Sequence, residues 1–127
     1  MATMLAFLAT DLEVSASALK SILSQATQRT FNRISIDGDM STNDTVLLVA
    51  NGASGVAVEN DAALLSAFAA AVEQVCFILA DKIVADGEKI TKVVELTIEG
   101  APNESAADKV GRAIANSLLV KSSWYGS

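Results

Sequence analysis

The sequence of 127 residues contains no histidine and a single cysteine. Without an imidazole, this chain cannot by itself form a Ser–His–Asp triad or a histidine-ligated metal site, so any nucleophile in it must find a base of another kind. The one cysteine, Cys76, excludes an internal disulfide. Its neighbours Val75, Phe77 and Ile78 are apolar, and they predict a buried thiol whose pKa is raised above its ordinary value.

Positive charge is also scarce. Lysine and arginine number 9 against 15 acidic residues, for a net charge of −6, and they form no cluster. Because nucleic acids and anionic membranes bind clustered cations, neither is expected as a partner. The most apolar long segment, residues 62–84, is interrupted by charged and polar side chains, which argues against a membrane span. No positively charged region precedes the first apolar residues, so we expect a cytoplasmic protein.

Apolar residues are abundant, at 51% against 19% charged, and there is a single proline. This composition is typical of a globular chain, and at this length we expect one domain over residues 1–127. Helical periodicity predicts a helix at residues 15–28, a long helix that begins after Asn60 or Asp61 and ends at Asp86, and a third helix introduced by a capping box of Ser105 and Asp108.

Strand patterns lie between these helices. They predict strands at residues 4–9, 33–36, 46–50 and 93–99. The first is apolar on both faces, as in a strand covered on two sides, whereas the last alternates apolar and polar residues, as antiparallel or edge strands do. The order of elements predicts an α+β fold in which mixed or antiparallel sheet layers pack against helices.

Residues 37–44, DGDMSTND, carry three carboxylates and invite a cation. An EF-hand loop would need glycine at its sixth position and glutamate at its twelfth, where this chain has Thr42 and Leu48. The loop also resembles the signature of aspartate-nucleophile phosphatases, with Asp37 as nucleophile and Asp39 as acid/base, but the downstream lysine and acidic pair of those enzymes have no convincing counterpart. We therefore interpret it as a tight connection whose polar side chains bond their own backbone.

Three separated blocks carry a specific resemblance: MATMLAFLATD, FNRISIDGDMSTNDTVLLVANG and VCFILADKIVADGEKITKVVELTIEGA. In order and spacing they resemble the β subunit of ornithine acetyltransferases, the bifunctional enzymes of cyclic arginine biosynthesis that are also called glutamate N-acetyltransferases. The resemblance covers most of the chain. It implies the fold shared by these self-cleaving enzymes and the D-amino-acid amidases, and it makes residues 1–127 the N-terminal part of a β chain.

The resemblance implies that Thr3 both cleaves the precursor and carries the acetyl group. In the family, the precursor cuts itself between the alanine and threonine of this motif, here Ala2 and Thr3. The freed α-amine, with an ordinary pKa of about 7.7–8, can then accept the hydroxyl proton, so the missing histidine is no obstacle. Acetyl passes from N2-acetylornithine to this threonine and on to glutamate without a cofactor or a metal, and some members also accept acetyl-CoA.

A second site residue follows from the block ADGEKITK, which matches the family's DGEGATK. Its glutamate, here Glu88, is assigned to substrate contact, and a carboxylate there suits the α-ammonium of an amino-acid substrate. Lys89 and Ile90 replace the family's glycine and alanine, which leaves the local backbone conformation open. The oxyanion donors of the family belong to the α subunit, which is the implied partner in an α2β2 assembly.

Two features separate this polypeptide from a mature family enzyme. Met1 and Ala2 precede Thr3, so the nitrogen of Thr3 is an amide, and the family's chain continues beyond VKSSWYGS. We therefore expect this polypeptide alone to be catalytically silent. Two alternatives stay open: a self-cleaving aminopeptidase or amidase that passes the acyl group to water, and a non-catalytic domain that has kept the fold. Such amidases usually place serine after the cut and lack DGDxSTND, so the residues favour the transferase.

Overall fold

The computed structural model describes residues 3–87 and 89–125. Two strands and four helices follow one another in the order β1 (Leu5–Thr10), α1 (Ala16–Arg29), β2 (Thr45–Ala50), α2 (Ala62–Ala85), α3 (Glu104–Ala115) and α4 (Leu118–Tyr125). Short 3-10 turns, Phe31–Arg33 and Val58–Asn60, lie before β2 and α2. The predicted α+β class is confirmed.

The two strands pair in parallel, in the register Leu5 with Thr45 through Thr10 with Ala50. Helix α1 lies between them in the chain, because parallel neighbours need a crossover connection. Parallel strands also begin at the same edge of the sheet, so the residues that precede β1 lie beside the residues that precede β2. This register brings Thr3 and Met4 to the loop at residues 37–44.

The two sheet faces differ in burial. On one face, Ala6 and Leu8 are buried in the hydrophobic core with residues of both long helices. The opposite face of the sheet is apolar yet uncovered: Leu5 is 59% exposed, Phe7 70%, and Leu47 and Val49 are exposed as well. The expectation that the first strand is covered on both sides is met on one side only. We call the uncovered set Leu5, Phe7, Leu47 and Val49 the open sheet face.

Helix α2 is the longest helix and confirms its prediction. Asp61 caps its start by accepting hydrogen bonds from the backbone N–H groups of Ala63 and Leu64, and the helix ends at Ala85 with Asp86 as its C-cap. Among the described residues it is the one helix long and apolar enough to cross a membrane, with 17% of its most apolar window buried. Phe68, Val72, Cys76 and Ala80 form its buried face in the core, so α2 is a core helix with its other side uncovered.

The two short strands predicted outside β1 and β2 are wrong. Arg33 ends the 3-10 turn and residues 34–36 form no strand, and residues 93–99 form no strand either in the part of the chain that the structure describes. The alternation at 93–99 nevertheless has a cause, because Leu96 and Ile98 are half-buried while the residues between and beside them are exposed. Alternation records which side chains face the protein, and it does not supply the neighbouring strand that a ladder requires.

The C-terminal helices also differ from expectation in detail. The cap of α3 is Asn103, whose side chain accepts from the backbone N–H of Ala106, so the predicted capping box at Ser105 is wrong. Helix α4 was not predicted. Its eight residues include Leu118 and Leu119, which are 75% and 82% exposed, so no buried stripe marked it in the sequence.

Candidate functional site

The candidate nucleophile, Thr3, lies two residues before β1 and is exposed. Its Oγ1 is 2.8 Å from Oγ of Ser41, in the loop that leads to β2. Side chains alternate along an extended segment, and this alternation places Thr3 on the same side as Leu5 and Phe7. The hydroxyl is therefore at the edge of the open sheet face.

One carboxylate ties the two segments together. Oδ1 of Asp44 accepts the backbone N–H of Met4 at 2.8 Å, and Oδ2 accepts the backbone N–H of Ser41 at 3.1 Å. The carbonyl of Met4 in turn accepts the N–H of Thr45 at 2.9 Å. Met4 is thus held through both its backbone N–H and its carbonyl, and Ser41, which touches the Thr3 hydroxyl, is held through its backbone N–H.

Within the loop, short polar side chains bond the neighbouring backbone, as the sequence predicted. Oδ1 of Asp37 accepts from the N–H of Asp39 at 3.0 Å, and Oγ of Ser41 accepts from the N–H of Asn43 at 3.2 Å. Gly38 has a φ of +84°, in the left-handed region that favours glycine. Over residues 3–87 and 89–125, no group of three acidic, cysteine or histidine side chains could hold a metal ion.

Sequence reasoning assigned this loop a structural role and missed its contact with Thr3. The signal was indirect: when two strands pair in parallel, the segments that precede them lie side by side at the same edge of the sheet. The sequence predicted the strand at residues 46–50 without its pairing partner or direction. Knowledge of that pairing would have placed Ser41 and Asp44 beside Thr3.

The other predicted site residues, Ala2 and Glu88, lie outside the described residues. The structure does describe the turn that flanks Glu88, where the N–H of Ile90 donates to the carbonyl of Gly87 at 3.1 Å. Lys89 has a φ of +55° and is the one described non-glycine residue with a positive φ. The glycine that the family block carries at this position would adopt such a backbone without strain, whereas lysine does so at a cost of about 1 kcal/mol.

Cys76 behaves as the sequence predicted. Its side chain is fully buried in the core. Burial, and secondarily the negative charge of Glu73, raise the pKa of the thiol. A raised pKa keeps the thiol protonated, so the stability linked to it is fully present below the pKa of an exposed thiol and is lost as pH rises through the raised value. Cys76 is a core residue and not a competing nucleophile.

The family model that matches this chain is that of the ArgJ family, and the match extends over residues 1–127. The chain belongs to the ArgJ family. It is 48% identical over 125 residues to the glutamate N-acetyltransferase of Methanocaldococcus jannaschii, covering 98% of this chain. It is 50% identical over 126 residues to the arginine biosynthesis bifunctional protein ArgJ of Ruegeria pomeroyi, covering 99% of this chain. The resemblance carried by the three sequence blocks is thereby confirmed.

The fold is also that of a solved ArgJ protein. The crystal structure of the arginine biosynthesis bifunctional protein ArgJ from Bacillus halodurans matches with a TM-score of 0.88 and 39% identity, over 98% of this chain and 59% of that chain. This ArgJ-family chain spans 30% of the length of the two curated relatives above. The rest of those proteins has no counterpart in these 127 residues.

Proposed function

We propose that the ArgJ protein to which this chain belongs moves acetyl from N2-acetylornithine to glutamate through an acetyl ester on Thr3. The observation that carries this proposal is the Thr3 hydroxyl, exposed at the start of β1 and 2.8 Å from the Ser41 hydroxyl. Support comes from the ArgJ family match and from a relative named glutamate N-acetyltransferase.

The proposed chemistry begins with self-cleavage. The Thr3 hydroxyl attacks the carbonyl carbon of Ala2, the peptide bond to the Thr3 nitrogen breaks, the hydroxyl proton passes to that nitrogen, and the alanyl group moves from nitrogen to oxygen. Water then hydrolyses that ester, which returns the hydroxyl and leaves a free α-amine. This amine titrates near neutral pH and can accept the hydroxyl proton, so the threonine supplies its own base in a chain without histidine.

Acetyl transfer then repeats the same attack on a substrate. Oγ1 of Thr3 bonds to the acetyl carbon of N2-acetylornithine, the carbon–nitrogen bond breaks, and the proton passes through the α-amine to the departing ornithine. In the second half-reaction the α-amine of glutamate attacks the acetyl ester, N-acetylglutamate is released, and the Thr3 hydroxyl is restored. The scheme uses no cofactor. Donors to the tetrahedral oxyanion, worth a hundredfold or so in rate each, come from the α subunit in this proposal.

The open sheet face is where the rest of the protein docks in this proposal. Leu5 and Phe7 leave much of their apolar surface in water, and each fully buried side chain of this kind gains roughly 1.5–3 kcal/mol. The occupant is the remainder of the ArgJ protein, since this chain covers 30% of its relatives and 59% of the solved ArgJ chain. The proposed assembly is α2β2 and cytoplasmic.

The activity is tested by steady-state kinetics of the full-length protein with N2-acetylornithine and glutamate. We expect double-reciprocal plots with parallel lines, because an acetyl-enzyme separates the two half-reactions. Acetyl-CoA in place of N2-acetylornithine tests the second donor. Release of acetate to water at a rate independent of glutamate would instead indicate the amidase alternative and contradict the transferase.

Glu88 is proposed to bind the α-ammonium of the amino-acid substrate. Glu88→Gln is expected to lower kcat/KM for glutamate about tenfold to a hundredfold, since a hydrogen bond between charged groups is lost while the shape is kept. The matched control is Glu95→Gln, an exposed glutamate of the same connection, which should leave kcat/KM unchanged. Equal kinetics for the two variants would remove Glu88 from the substrate site.

A further inference from the structure

We propose that Ser41 is a positioning residue for the Thr3 hydroxyl, and that Asp44 holds it there. This inference rests on the proposed role of Thr3 as nucleophile. It assigns a task to a loop in which several polar side chains bond the neighbouring backbone. The Ser41 hydroxyl contacts the oxygen that forms and breaks the ester, at 2.8 Å.

The direction of this hydrogen bond follows from the chemistry. Either hydroxyl of the pair could be the donor. In acetyl transfer by the processed enzyme, the proton of the Thr3 hydroxyl passes to the freed Thr3 α-amine, so it is not available to Ser41. Ser41 therefore donates to Oγ1 of Thr3, while its own oxygen accepts the N–H of Asn43 at 3.2 Å. The Ser41 hydroxyl then has both a donor and an acceptor partner, which defines its orientation.

Asp44 makes the pair rigid. Its carboxylate accepts the backbone N–H of Met4 at 2.8 Å and that of Ser41 at 3.1 Å, so the residue after Thr3 and the partner of Thr3 share one anchor. The N–H of Thr45 holds the carbonyl of Met4 from the same segment. An asparagine could accept only one of the two N–H groups and would turn its NH2 toward the other. The two hydroxyls are thus preorganised before any substrate arrives.

Ser41 also lies where charge develops. Negative charge builds on Oγ1 of Thr3 as it loses its proton in the attack, and again when it leaves as the ester is cleaved by glutamate. A donor at hydrogen-bond distance stabilises that charge in both directions, and hydrogen bonds to charged oxygen are stronger than neutral ones. The same oxygen acts in self-cleavage, so both the cutting of the Ala2–Thr3 bond and acetyl transfer are expected to depend on Ser41.

The test compares Ser41→Ala, Ser41→Thr and Thr42→Ala in the full-length protein. Ser41→Ala should slow self-cleavage and lower kcat about tenfold to a hundredfold, with KM for N2-acetylornithine within about twofold. Ser41→Thr keeps the hydroxyl and should recover most of both rates. Thr42 is exposed in the same loop, its hydroxyl donates to Asn43 at 3.5 Å, and its alanine variant should behave as the wild type.

The amplitude of the acetyl-enzyme burst separates positioning from folding. Each variant is allowed to complete self-cleavage and is then mixed with N2-acetylornithine. Positioning predicts a full burst amplitude for Ser41→Ala with a slow burst rate. A wild-type kcat, or a fall in kcat that matches a fall in amplitude, would overturn the inference. In Asp44→Asn the same slow burst is expected, and the double variant should be no slower than the slower single variant, because both residues act on one hydroxyl.

These outcomes are distinguishable from failure of the proposed function. If Thr3→Ala retained self-cleavage and acetyl transfer, the nucleophile assignment itself would fall. If Thr3→Ala is inactive and Ser41→Ala is not slowed, the role of Thr3 stands and only the positioning role of Ser41 is lost.

Discussion

In the full-length protein, Thr3→Ala is expected to leave the Ala2–Thr3 bond uncut and to lower acetyl transfer by about a thousandfold or more. The hydroxyl is the nucleophile in both reactions, and alanine has nothing to replace it. Thr3→Ser keeps a hydroxyl and should retain measurable self-cleavage and transfer.

The measurements are denaturing gels or intact mass for cleavage, and N-acetylglutamate formation for transfer. Thr10→Ala is the matched control, at the other end of β1, where Oγ1 accepts the N–H of Leu12 at 3.2 Å. This variant should cleave and turn over as the wild type does. A Thr3→Ala protein that still separates into two chains would contradict the nucleophile assignment.

The second large expected effect is the lack of acetyl-transfer activity when the 127-residue chain is produced by itself. Its Thr3 nitrogen is bound in an amide, and in this account the oxyanion donors lie in the absent part of the protein. The open sheet face is also exposed in this chain, with Phe7 70% exposed, whereas we propose that the remainder of the protein covers it. We expect no acetyl transfer above the uncatalysed rate when this chain is produced alone.

The isolated chain and the full-length protein are compared at equal concentration, with N2-acetylornithine and glutamate as substrates. Circular dichroism shows whether the helices of the isolated chain have formed. A lack of turnover can then be distinguished from a lack of folding. A chain that begins at Thr3 is the matched control, because it has the free amine but still lacks the remainder; it should also be silent. Turnover by either chain near that of the full-length protein would contradict the account.

Local patterns predicted those elements that carry their own signals. Helix α2 has an apolar residue at every third or fourth position and an aspartate at its start, and both β1 and β2 are dense apolar runs bounded by polar residues. The segment at 93–99 shows the limit of such signals. Its alternation reports half-burial of Leu96 and Ile98, but a strand also depends on a neighbouring backbone that no local pattern can specify.

The residues of the candidate site also fall into two groups, those predicted from the sequence and those that only the fold brings together. Thr3 is singled out because the block MATMLAFLATD resembles that of ornithine acetyltransferases, and its role as nucleophile stays a prediction. Ser41 and Asp44 contact Thr3 and Met4 only because the two strands pair in parallel, which joins residues about 40 positions apart in the sequence. Glu88 and Ala2 lie outside the described residues, and their roles stay predictions.

The most direct test of the central claim is to trap the acetyl-enzyme. The processed full-length protein is mixed with N2-acetylornithine without glutamate, and its peptides are examined by mass spectrometry. We expect one acetyl group on the peptide that begins at Thr3, removable by hydroxylamine as an ester is, and lost on addition of glutamate as an equal amount of N-acetylglutamate forms. An acetyl group on a different residue, or transfer to glutamate while Thr3 is never acetylated, would contradict it.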